Sequence, residues 1–434
     1  MISSIQIKGF KSYRDASLSL APLTLLIGAN ASGKSNAIEA IRFLSWLASG
    51  RRLDDIMGDV QGGDQLIRGT VATLAAPGKG TFGLGLRTEE RTWNRFSIRI
   101  SVSDDGLRIV DERIDDPQEA VPLYSVDAPA DVYGHDIKVQ YNNFARGGVK
   151  PKIACTDQQA VFTQLATPAR FGKGHTRAQK EIPATVEQLR RDLERILFLD
   201  PSPRRMRQYS FKSERRLKGD GANLSSVLFD LCRGQDRKAE ILEFIRDLPE
   251  QEIRDIDFIE TARAEVMVQL EESFGGSART WDAPNLSDGT LRVLAVAAAL
   301  LSSEQGSLVI IEELDNGVHP SRADALLRNI SRVAEQRRLR VLLTTHNPAL
   351  LDAVPDEAIP DVVHCFRDPE TGASQLARLE ELPDYARLLA LGPLGRSMAA
   401  GRIEDYLKDR QTEKDRRNQA LEWLRGLERQ VTAS

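Results

Sequence analysis

The chain has 434 residues, of which 41% are hydrophobic and 28% are charged, and its formal net charge is −4. This composition is ordinary for a globular protein with a large core, and it excludes a globally basic nucleic-acid-binding protein, so any DNA contact has to come from a local basic patch. The three dispersed cysteines and five dispersed histidines exclude a disulfide framework and a zinc motif. The longest apolar run, VLAVAAALL at 293–301, is too short to cross a bilayer. We therefore expect a cytoplasmic protein without a membrane partner.

The first part of the chain predicts strands around one helix. SIQIKGF (4–10) alternates as a half-buried strand does, LTLLIG (23–28) is a continuous apolar strand, and AIEAIRFLSWLA (37–48) has helical spacing. Three alternating runs within 81–112 predict an antiparallel sheet. Residues 122–184 give no clear pattern and are interpreted as an inserted region.

Helical patterns return in the middle of the chain, at 186–197, 224–231 and 238–248, and two strands follow them. The last third alternates between helices and strands, which predicts βα units and a parallel sheet. These elements are expected at 288–302, 307–314, 320–336 and 340–345. Further helices near 384–391, 397–409 and 413–431 are expected to form a tail.

The first motif is GANASGKS, which follows the apolar strand and precedes the helix. It matches G-x-x-x-x-G-K-[ST] through Gly28, Gly33, Lys34 and Ser35, in the strand-to-helix context that this motif requires. The glycines allow backbone N–H groups to approach phosphates, the lysine supplies a cation to the terminal phosphates, and the serine hydroxyl is a ligand for Mg²⁺. The motif therefore predicts a nucleotide-phosphate site.

Polar residues end two strands of the last third. In SLVIIEEL (307–314) the apolar strand is followed by Glu312 and Glu313. In RVLLTTHNP, His346 follows the next strand, and Asn347 and Pro348 start a helix. Two acids at the end of a buried strand are costly unless they have a partner. Beside a P-loop, one acid can hold Mg²⁺ and the other can activate water, and His346 is placed to reach the terminal phosphate.

The stretch LSDGT (286–290) predicts a second helix start that can hold an anion, through Ser287 and the N–H groups near Gly289. One ATP molecule cannot occupy two helix starts that lie apart in one fold. If two chains meet face to face, each P-loop can receive the LSDGT stretch of the other chain. The sequence therefore predicts a homodimer with ATP between the chains.

Together GANASGKS, LSDGT, IIEELDNGVHP and TTHNP resemble the ABC-type ATPases of the SMC/RecF/OLD superfamily, and so does the N-terminal IQIKGFKSYRDASLSLAPLTLLIGANASGKSN. LFLDPSPRRMR (197–207) and GDGANLSSVLFDL (219–231) resemble the compact RecF-like branch, which has no long coiled coil. The resemblance implies a P-loop ABC-type α/β fold with a mixed or parallel core sheet, an antiparallel β subdomain and a helical lobe. The corresponding expected domains are an N-terminal ATPase lobe (1–121), an inserted helical region (122–280), a C-terminal ATPase lobe (281–380) and a helical tail (381–434).

The resemblance also implies roles for residues of this sequence, with ATP and Mg²⁺ as cofactors. Glu313 is the implied general base, His346 the switch histidine, and Glu312, with Ser35, the metal-side ligand. Asp315 belongs to the loop that crosses the dimer interface, with Asn316 and Gly317. The glutamine ligand is left open between Gln61 and Gln65. The other implied nucleotide contacts are Lys11, Gly28, Asn30, Gly33, Lys34, Asn36, Ser287 and Gly289.

Three other classes of protein compete with this interpretation. A transporter subunit is disfavoured because its LSGGQ-type stretch lies much closer to the P-loop, and a GTPase because no NKxD motif follows. A nonhydrolysing scaffold is disfavoured by the intact set of Lys34, Glu313 and His346. A RecF-like DNA repair ATPase stays open as the alternative.

The expected biological role is an ATP-dependent switch in antiphage defence, by analogy with the family. No spaced DxD follows TTHNP, so we expect a nuclease-type effector to be a separate protein. The basic, aromatic-containing segment RRMRQYSFKSERRLK (204–218) is a candidate DNA contact.

Overall fold

The computed structural model describes residues 1–58, 60–61, 64–89, 92–130, 134–246, 252–274, 277–314, 323–382, 385–390 and 392–408. Within these ranges no helix is long and apolar enough to cross a membrane. The helices are α1 Lys34–Leu47, α2 Val161–Gln164, α3 Thr176–Glu194, α4 Pro203–Met206, α5 Leu224–Leu231, α6 Gln235–Arg246, α7 Asp288–Ser302, α8 Ala323–Gln336, α9 Pro348–Asp352, α10 Tyr385–Ala390, α11 Leu394–Ala399 and α12 Arg402–Lys408.

Within the described ranges the strands form four sheets. Their bounds are β1 Ile2–Lys8, β2 Asp15–Ser19, β3 Leu23–Ile27, β4 Val60–Gln61, β5 Asp64–Gln65, β6 Thr81–Thr88, β7 Arg95–Ser103, β8 Gly106–Asp115, β9 Tyr124–Ala128, β10 Asp136–Tyr141, β11 Lys152–Thr156, β12 Leu197–Leu199, β13 Ser210–Phe211, β14 Glu252–Glu260, β15 Glu265–Phe274, β16 Ser277–Asp282, β17 Leu308–Ile311, β18 Arg340–Thr344, β19 Val363–Arg367 and β20 Ser374–Arg378. The fold is mixed α/β, as predicted.

An eight-stranded antiparallel sheet contains the N-terminal strands, in the order β11-β10-β9-β8-β7-β6-β1-β2. The antiparallel sheet predicted from 81–112 is confirmed as β6, β7 and β8. The region 122–184, which gave no sequence pattern, contains β9, β10 and β11, and these strands extend the same sheet. They escaped prediction because each is only five or six residues long, which is too short for alternation to stand out between long loops.

The central sheet has the order β12-β17-β18-β3-β19-β20 and is parallel except for the last pair. Every residue of β3, β17 and β18 is buried. Continuous apolar runs of this kind are typical of strands covered on both faces. The parallel βα arrangement predicted for the last third of the chain is therefore confirmed.

Side chains of the central strands alternate between two hydrophobic clusters. Leu26, Ile310 and Leu342 pack in one cluster with α1, α3 and the eight-stranded sheet, whereas their neighbours pack in the other cluster with α5, α7 and α8. Since successive residues of a strand point to opposite faces, α1 and α7 cover opposite faces of the central sheet. The two predicted phosphate-binding helix starts thus belong to helices on opposite faces of this sheet.

A third, smaller sheet contains β13, β15, β14 and β16 and contacts α5 and α6. The predicted helices at 224–231, 238–248 and 288–302 are present as α5, α6 and α7. The helix predicted at 186–197 starts ten residues too late and ends three residues too late. In the structure α3 begins at Thr176, continues through Pro183 and ends at Glu194. Proline is usually a helix breaker, so the sequence pattern did not extend past it. The predicted domain boundaries stay a prediction.

Candidate functional site

The parallel strands β12, β17, β18 and β3 all end at the same edge of the central sheet, and a cavity of about 610 Å³ opens there. Ligands of open α/β sheets bind at this edge. The cavity brings together most of the residues predicted from the sequence. It is lined by Lys11, Asn30, Ala31, Gly33, Lys34, Ser35, Asn36, Ile38, Arg68, Gly69, Glu312, Glu313, Thr344, Thr345, His346 and Arg367.

The loop between β3 and α1 needs glycine at both ends. Gly28 has φ of 142° and Gly33 has φ of 127°, a region that favours glycine. A Cβ atom on Gly28 would lie 2.1 Å from the carbonyl oxygen of Cys365, and one on Gly33 would lie 2.2 Å from the Ser374 hydroxyl oxygen. The Tyr13 hydroxyl donates to the Gly33 carbonyl at 3.1 Å. The loop is therefore a backbone cradle whose shape depends on the absence of side chains.

Hydrogen bonds hold the charged and polar side chains at this loop. Lys34 Nζ donates to the carbonyl oxygens of Gly28 at 2.6 Å and Ala29 at 3.1 Å. The Asn36 side chain donates to the Ser12 hydroxyl at 2.7 Å. Arg367, which sequence analysis missed, donates from Nε to the Ala31 carbonyl at 3.0 Å. A second cation besides Lys34 therefore lies against the cradle.

Lys11 lies at the cavity within a compact charged cluster. Its ammonium pairs with Glu39, which is only 5% exposed, and also donates to the Arg68 carbonyl at 2.8 Å. Arg68 Nε contacts the other oxygen of Glu39 at 2.5 Å. Arg68 is a further cavity residue that the sequence did not single out. One buried carboxylate thus fixes two cations at the wall of the cavity.

The two acids after β17, Glu312 and Glu313, differ in their contacts and in their backbone conformation. The Glu312 N–H donates to the Leu199 carbonyl at 2.9 Å, and the Glu312 carboxylate accepts from Arg42 at 2.6 Å. Glu313 has φ of 49°, which is rare for a residue other than glycine. Strained backbone of this type is concentrated at functional sites.

His346 follows β18 and lies on the cavity wall with Thr344 and Thr345. The next residue, Asn347, begins α9, because its side-chain oxygen accepts the Ala349 N–H at 2.9 Å. The predicted helix start at Asn347-Pro348 is therefore confirmed. This cap fixes the backbone immediately after the histidine.

Asp200 is a functional candidate that sequence analysis did not identify. It follows β12, whose residue Leu199 pairs in parallel with Ile311, so Asp200 lies abreast of Glu312. Burial raises the pKa of Asp200, and the charges of Glu312 and Glu313 raise it further, whereas Arg292 and Arg42 lower it. The signal in the sequence was an apolar run that ends in an acid, LFLD, the same pattern that identified Glu312.

Ser287 and Gly289 are not among the residues that line the cavity. Ser287 caps α7, since its side chain accepts the Thr290 N–H at 3.1 Å. Arg207 holds this turn from outside, by donating to the Leu286 carbonyl at 2.9 Å and to the Asp288 carboxylate at 2.7 Å. The two predicted phosphate-binding helix starts therefore do not line one common cavity within the chain.

Some predicted residues lie outside the described ranges. Asp315, Asn316 and Gly317 belong to this group, as does the predicted tail helix at 413–431. The side chains of Gln61 and Gln65 are not described either, so the choice between them stays open.

The basic segment 204–218 is largely neutralised by neighbouring acids. Tyr209 and Phe211 are 42% and 53% exposed, so aromatic surfaces are available there. The paired cations, however, leave less free positive charge than the sequence alone indicated. The pairs are Arg205–Asp220, Arg207–Asp288, Lys212–Glu260, Arg215–Asp230 and Lys218–Glu214.

The chemistry of the cavity fits a nucleoside triphosphate with a divalent cation. The glycine cradle leaves space for phosphates that a Cβ atom would fill. Ser35 supplies a hydroxyl and Glu312 a carboxylate, which are ligands that Mg²⁺ prefers. Among the described residues no group of three or more histidines, cysteines and acids is arranged to hold a metal, so phosphate oxygens would have to complete the coordination of such an ion.

Comparison with known proteins gives matches in separate parts of the chain. A family model described as "AAA domain, putative AbiEii toxin, Type IV TA system" matches residues 158–352, and one described as "AAA ATPase domain" matches residues 1–59. The DNA replication and repair proteins RecF of Cyanothece sp. and Gloeobacter violaceus are 45% identical over 51 residues and 44% identical over 55 residues. Each match covers 12% of this chain, and it covers 14% and 15% of the two relatives.

Solved structures similar to the chain include an SMC head bound to the C-terminal winged-helix domain of ScpA, with 13% identity and a TM-score of 0.48 over 87% of this chain and 97% of that one. The SMC head domain of Thermotoga maritima has 13% identity and a TM-score of 0.41 over 87% of this chain and 98% of that one. The motifs at the cavity, the two ATPase-domain matches and the short RecF matches together support an ABC-type ATPase of the SMC/RecF superfamily.

Proposed function

We propose that the protein binds ATP with Mg²⁺ at the cavity and hydrolyses it as a homodimer. In this proposal, each site combines the cradle of one chain with the LSDGT turn of the other. The observation that carries it is that Ser287 and Gly289 of the LSDGT turn do not line the cavity that contains the cradle. A single chain then offers two incomplete anion sites, and pairing two chains in a closed two-fold arrangement completes both.

The proposed roles follow from the chemistry of the cavity. Backbone N–H groups of the cradle and Lys34 bind the phosphates, and Ser35 and Glu312 hold the cation. Mg²⁺ supplies neutralisation of the charge that develops on the phosphates. Lys34 would leave its present carbonyl partners at Gly28 and Ala29, which are weaker partners for an ammonium than a phosphate is.

Glu313 is the proposed general base for the attacking water, and His346 the residue that senses the terminal phosphate. The Glu313 N–H is held at 3.1 Å by the Thr344 hydroxyl, which keeps the base beside the strand that leads to the histidine. A positioned base of this kind contributes about 10²- to 10⁴-fold to a rate. Lys11, Asn30 and Asn36 are proposed to complete the nucleotide contacts, and Asp315 to contact the partner chain.

The composite site is tested by complementation between two inactive variants. Lys34→Ala removes the cradle lysine and Ser287→Arg blocks the LSDGT turn, so each homodimer has no intact site. A mixed dimer has one site built from Lys34 of one chain and Ser287 of the other. Mixing the variants in equal amounts should restore about a quarter of the wild-type ATPase rate, because half of random dimers are mixed and each has one intact site.

The controls distinguish sites shared between two chains from sites formed within one chain. Each variant alone should be inactive, and Ser287→Arg alone should still bind a fluorescent ATP analogue as a monomer. If the mixture stays inactive while both variants remain folded and exchange chains, the sites are not shared. If either variant alone keeps the wild-type rate, the residue is not part of the site.

The proposed biological role is a switch in defence against phage, acting with a separate nuclease-type effector. Support comes from the family description that mentions a putative toxin of a type IV toxin–antitoxin system. Purified protein should therefore hydrolyse ATP without cutting plasmid DNA. Nuclease activity that survives rigorous purification and disappears with a substitution of an acid in this chain would contradict the effector in trans.

The alternative is a RecF-like DNA repair ATPase, and one surface favours it. A groove of about 370 Å³ lies on the exposed face of the eight-stranded sheet. Pairing puts Gly83 between Lys8 and Arg99, so the floor carries no side chain there. Cations, which suit a phosphate backbone, also line the groove: Arg14 and Lys79, together with Lys8, Arg99 and Arg113, which are paired with Asp15, Asp111 and Asp115.

Filling this groove without changing its charge tests the alternative. A Cβ atom on Gly83 would have no neighbour nearer than 3.5 Å, so Gly83→Leu should fold. If duplex DNA binds here, Gly83→Leu should weaken it at least as much as the pair Arg14→Ala and Lys79→Ala. Binding that is unchanged in both variants, measured by fluorescence anisotropy of a labelled duplex, rejects the groove.

A further inference from the structure

Arg42 connects α1 to both acid-bearing strands beside it. Its guanidinium donates to the Glu312 carboxylate at 2.6 Å, and its Cζ lies 4.9 Å from the centre of the Phe198 ring. The side chains of Arg42 and Glu312 are 20% and 23% exposed. Arg42 is therefore held by a charge-assisted hydrogen bond and by stacking, in a setting shielded from most solvent.

A second carboxylate lies within the electrostatic reach of the same guanidinium. Asp200 is two residues after Phe198 and abreast of Glu312 in the parallel pair of β12 and β17. Its backbone is fixed, because the Asp200 N–H donates to the Gly219 carbonyl at 2.8 Å. A turn of the guanidinium, which lies over the Phe198 ring, would move it from Glu312 towards Asp200, a carboxyl whose pKa the charge of Arg42 acts to lower.

We propose that Arg42 competes with Mg²⁺ for Glu312, a role that we call the latch. Arg42 neutralises the Glu312 carboxylate while the site lacks Mg²⁺, and it pairs with Asp200 when Glu312 becomes a ligand of the cation. This inference rests on the proposed nucleotide site and adds a positioning role for two residues outside its motifs. The physical reason is competition for one carboxylate. A guanidinium on one oxygen of Glu312 weakens the attraction of the same carboxylate for Mg²⁺, and the two cations repel each other, so the guanidinium needs another anion after release.

The latch predicts how the Mg²⁺ requirement changes in Arg42→Met. Methionine is unbranched and flexible, so it can fill the space over the Phe198 ring, but it carries no charge. Binding of a fluorescent ATP analogue is measured by anisotropy while Mg²⁺ is titrated, so no turnover is needed. The Mg²⁺ concentration for half-maximal binding should fall about threefold to tenfold, the range expected for losing one partly exposed competing ion pair.

Substitution of Asp200 should change the Mg²⁺ requirement in the opposite direction. Asp200→Asn removes the second anion but keeps the size of the side chain, so released Arg42 has no partner. The half-maximal Mg²⁺ concentration should rise, and Asp200→Glu should restore most of the wild-type value. A matched control is Arg195→Met, which removes a cation that pairs with Glu304 and does not line the cavity. Its Mg²⁺ requirement should stay that of the wild type.

The outcomes distinguish the latch from the nucleotide site on which it rests. If wild-type protein does not bind the analogue at any Mg²⁺ concentration, the proposed site fails and the latch fails with it. If binding occurs but Arg42→Met leaves the Mg²⁺ requirement unchanged or raises it, the latch alone is overturned. If Asp200→Asn has no effect, the transfer of Arg42 to Asp200 is wrong.

Discussion

The backbone N–H of Glu313 donates to the hydroxyl oxygen of Thr344 at 3.1 Å. This hydrogen bond joins the end of β17 to the end of β18, so the proposed base and the strand that leads to His346 have a fixed relation. Glu313 holds this position with φ of 49°, a conformation that costs about 1 kcal/mol or more for a residue other than glycine. The surrounding strands therefore hold the acid in a strained backbone conformation at the cavity.

Glu313→Gln should separate ATP binding from ATP hydrolysis. The amide keeps the size of the side chain but cannot accept a proton from water, so turnover should fall about 100-fold or more. The ATP-bound dimer should then persist, and light scattering should give twice the monomer mass with ATP and Mg²⁺ but not with ADP. Glu304→Gln, at an exposed acid paired with Arg195, is the matched control. A Glu313→Gln protein that stays monomeric in saturating ATP would reject the sandwich dimer.

Arg207→Ala should affect turnover through the LSDGT turn. Arg207 donates to the Leu286 carbonyl and pairs with Asp288 at 2.7 Å, so its loss should loosen the residues on both sides of Ser287. We expect a lower ATPase rate with unchanged binding of nucleotide to the monomer. Arg204, three residues earlier, makes no ion pair within the described part of the chain and is exposed, so Arg204→Ala serves as control. Equal rates in the two variants would contradict this role.

Much of the site follows from short motifs, because each motif lies on continuous residues. GANASGKS, the acids after β17 and His346 after β18 were identified from apolar runs that end in polar residues, and these strands do meet at one edge. Arg42 and Asp200 were not identified. Their relation to Glu312 depends on packing between α1 and the sheet and on the register of β12 with β17, which lie about 110 residues apart. A single sequence carries no local pattern for that register.

The fold also has parts that could be predicted from local sequence patterns and parts that could not. The buried strands β3, β17 and β18 were recognisable as continuous apolar runs, whereas β9 to β11 were not, because they are short and partly exposed. The opposite placement of α1 and α7 also could not be derived from either helix alone. It follows from which face of the central sheet each helix covers, and that is a property of the assembled core.

Gly28→Ala should destabilise the protein strongly and remove nucleotide binding. A Cβ atom there would lie 2.1 Å from the Cys365 carbonyl oxygen, in backbone of β19 that cannot move away without disturbing the sheet. We expect a loss of more than about 3 kcal/mol in the free energy of unfolding. Gly80→Ala is the control, since its Cβ atom would have no neighbour within 4 Å. Chemical denaturation of both variants measures the difference, and a small effect at Gly28 would show that the cradle tolerates a side chain.

Glu112 should make the stability of the eight-stranded sheet depend on pH. Burial raises the pKa of its carboxyl to about 7, although the N–H groups of Val161 and Phe162 and the Tyr124 hydroxyl act to lower it. Between its unfolded pKa of about 4.3 and pH 7, the folded state keeps a proton that the unfolded state has lost. The contribution of Glu112 to stability is therefore fully present below the unfolded pKa and is lost as pH rises to about 7.

The variant Glu112→Gln isolates this effect, because glutamine does not titrate. The difference in unfolding free energy between wild type and Glu112→Gln should shift against the wild type by about 3 kcal/mol at most as pH rises from about 4 to 7, and it should level off about one pH unit above that range. Denaturant unfolding followed by tryptophan fluorescence measures it, with Glu119→Gln at an exposed position as the matched control. A difference that stays constant from pH 4 to 7 would mean that Glu112 is ionised throughout, with its three hydrogen bonds outweighing the cost of burial.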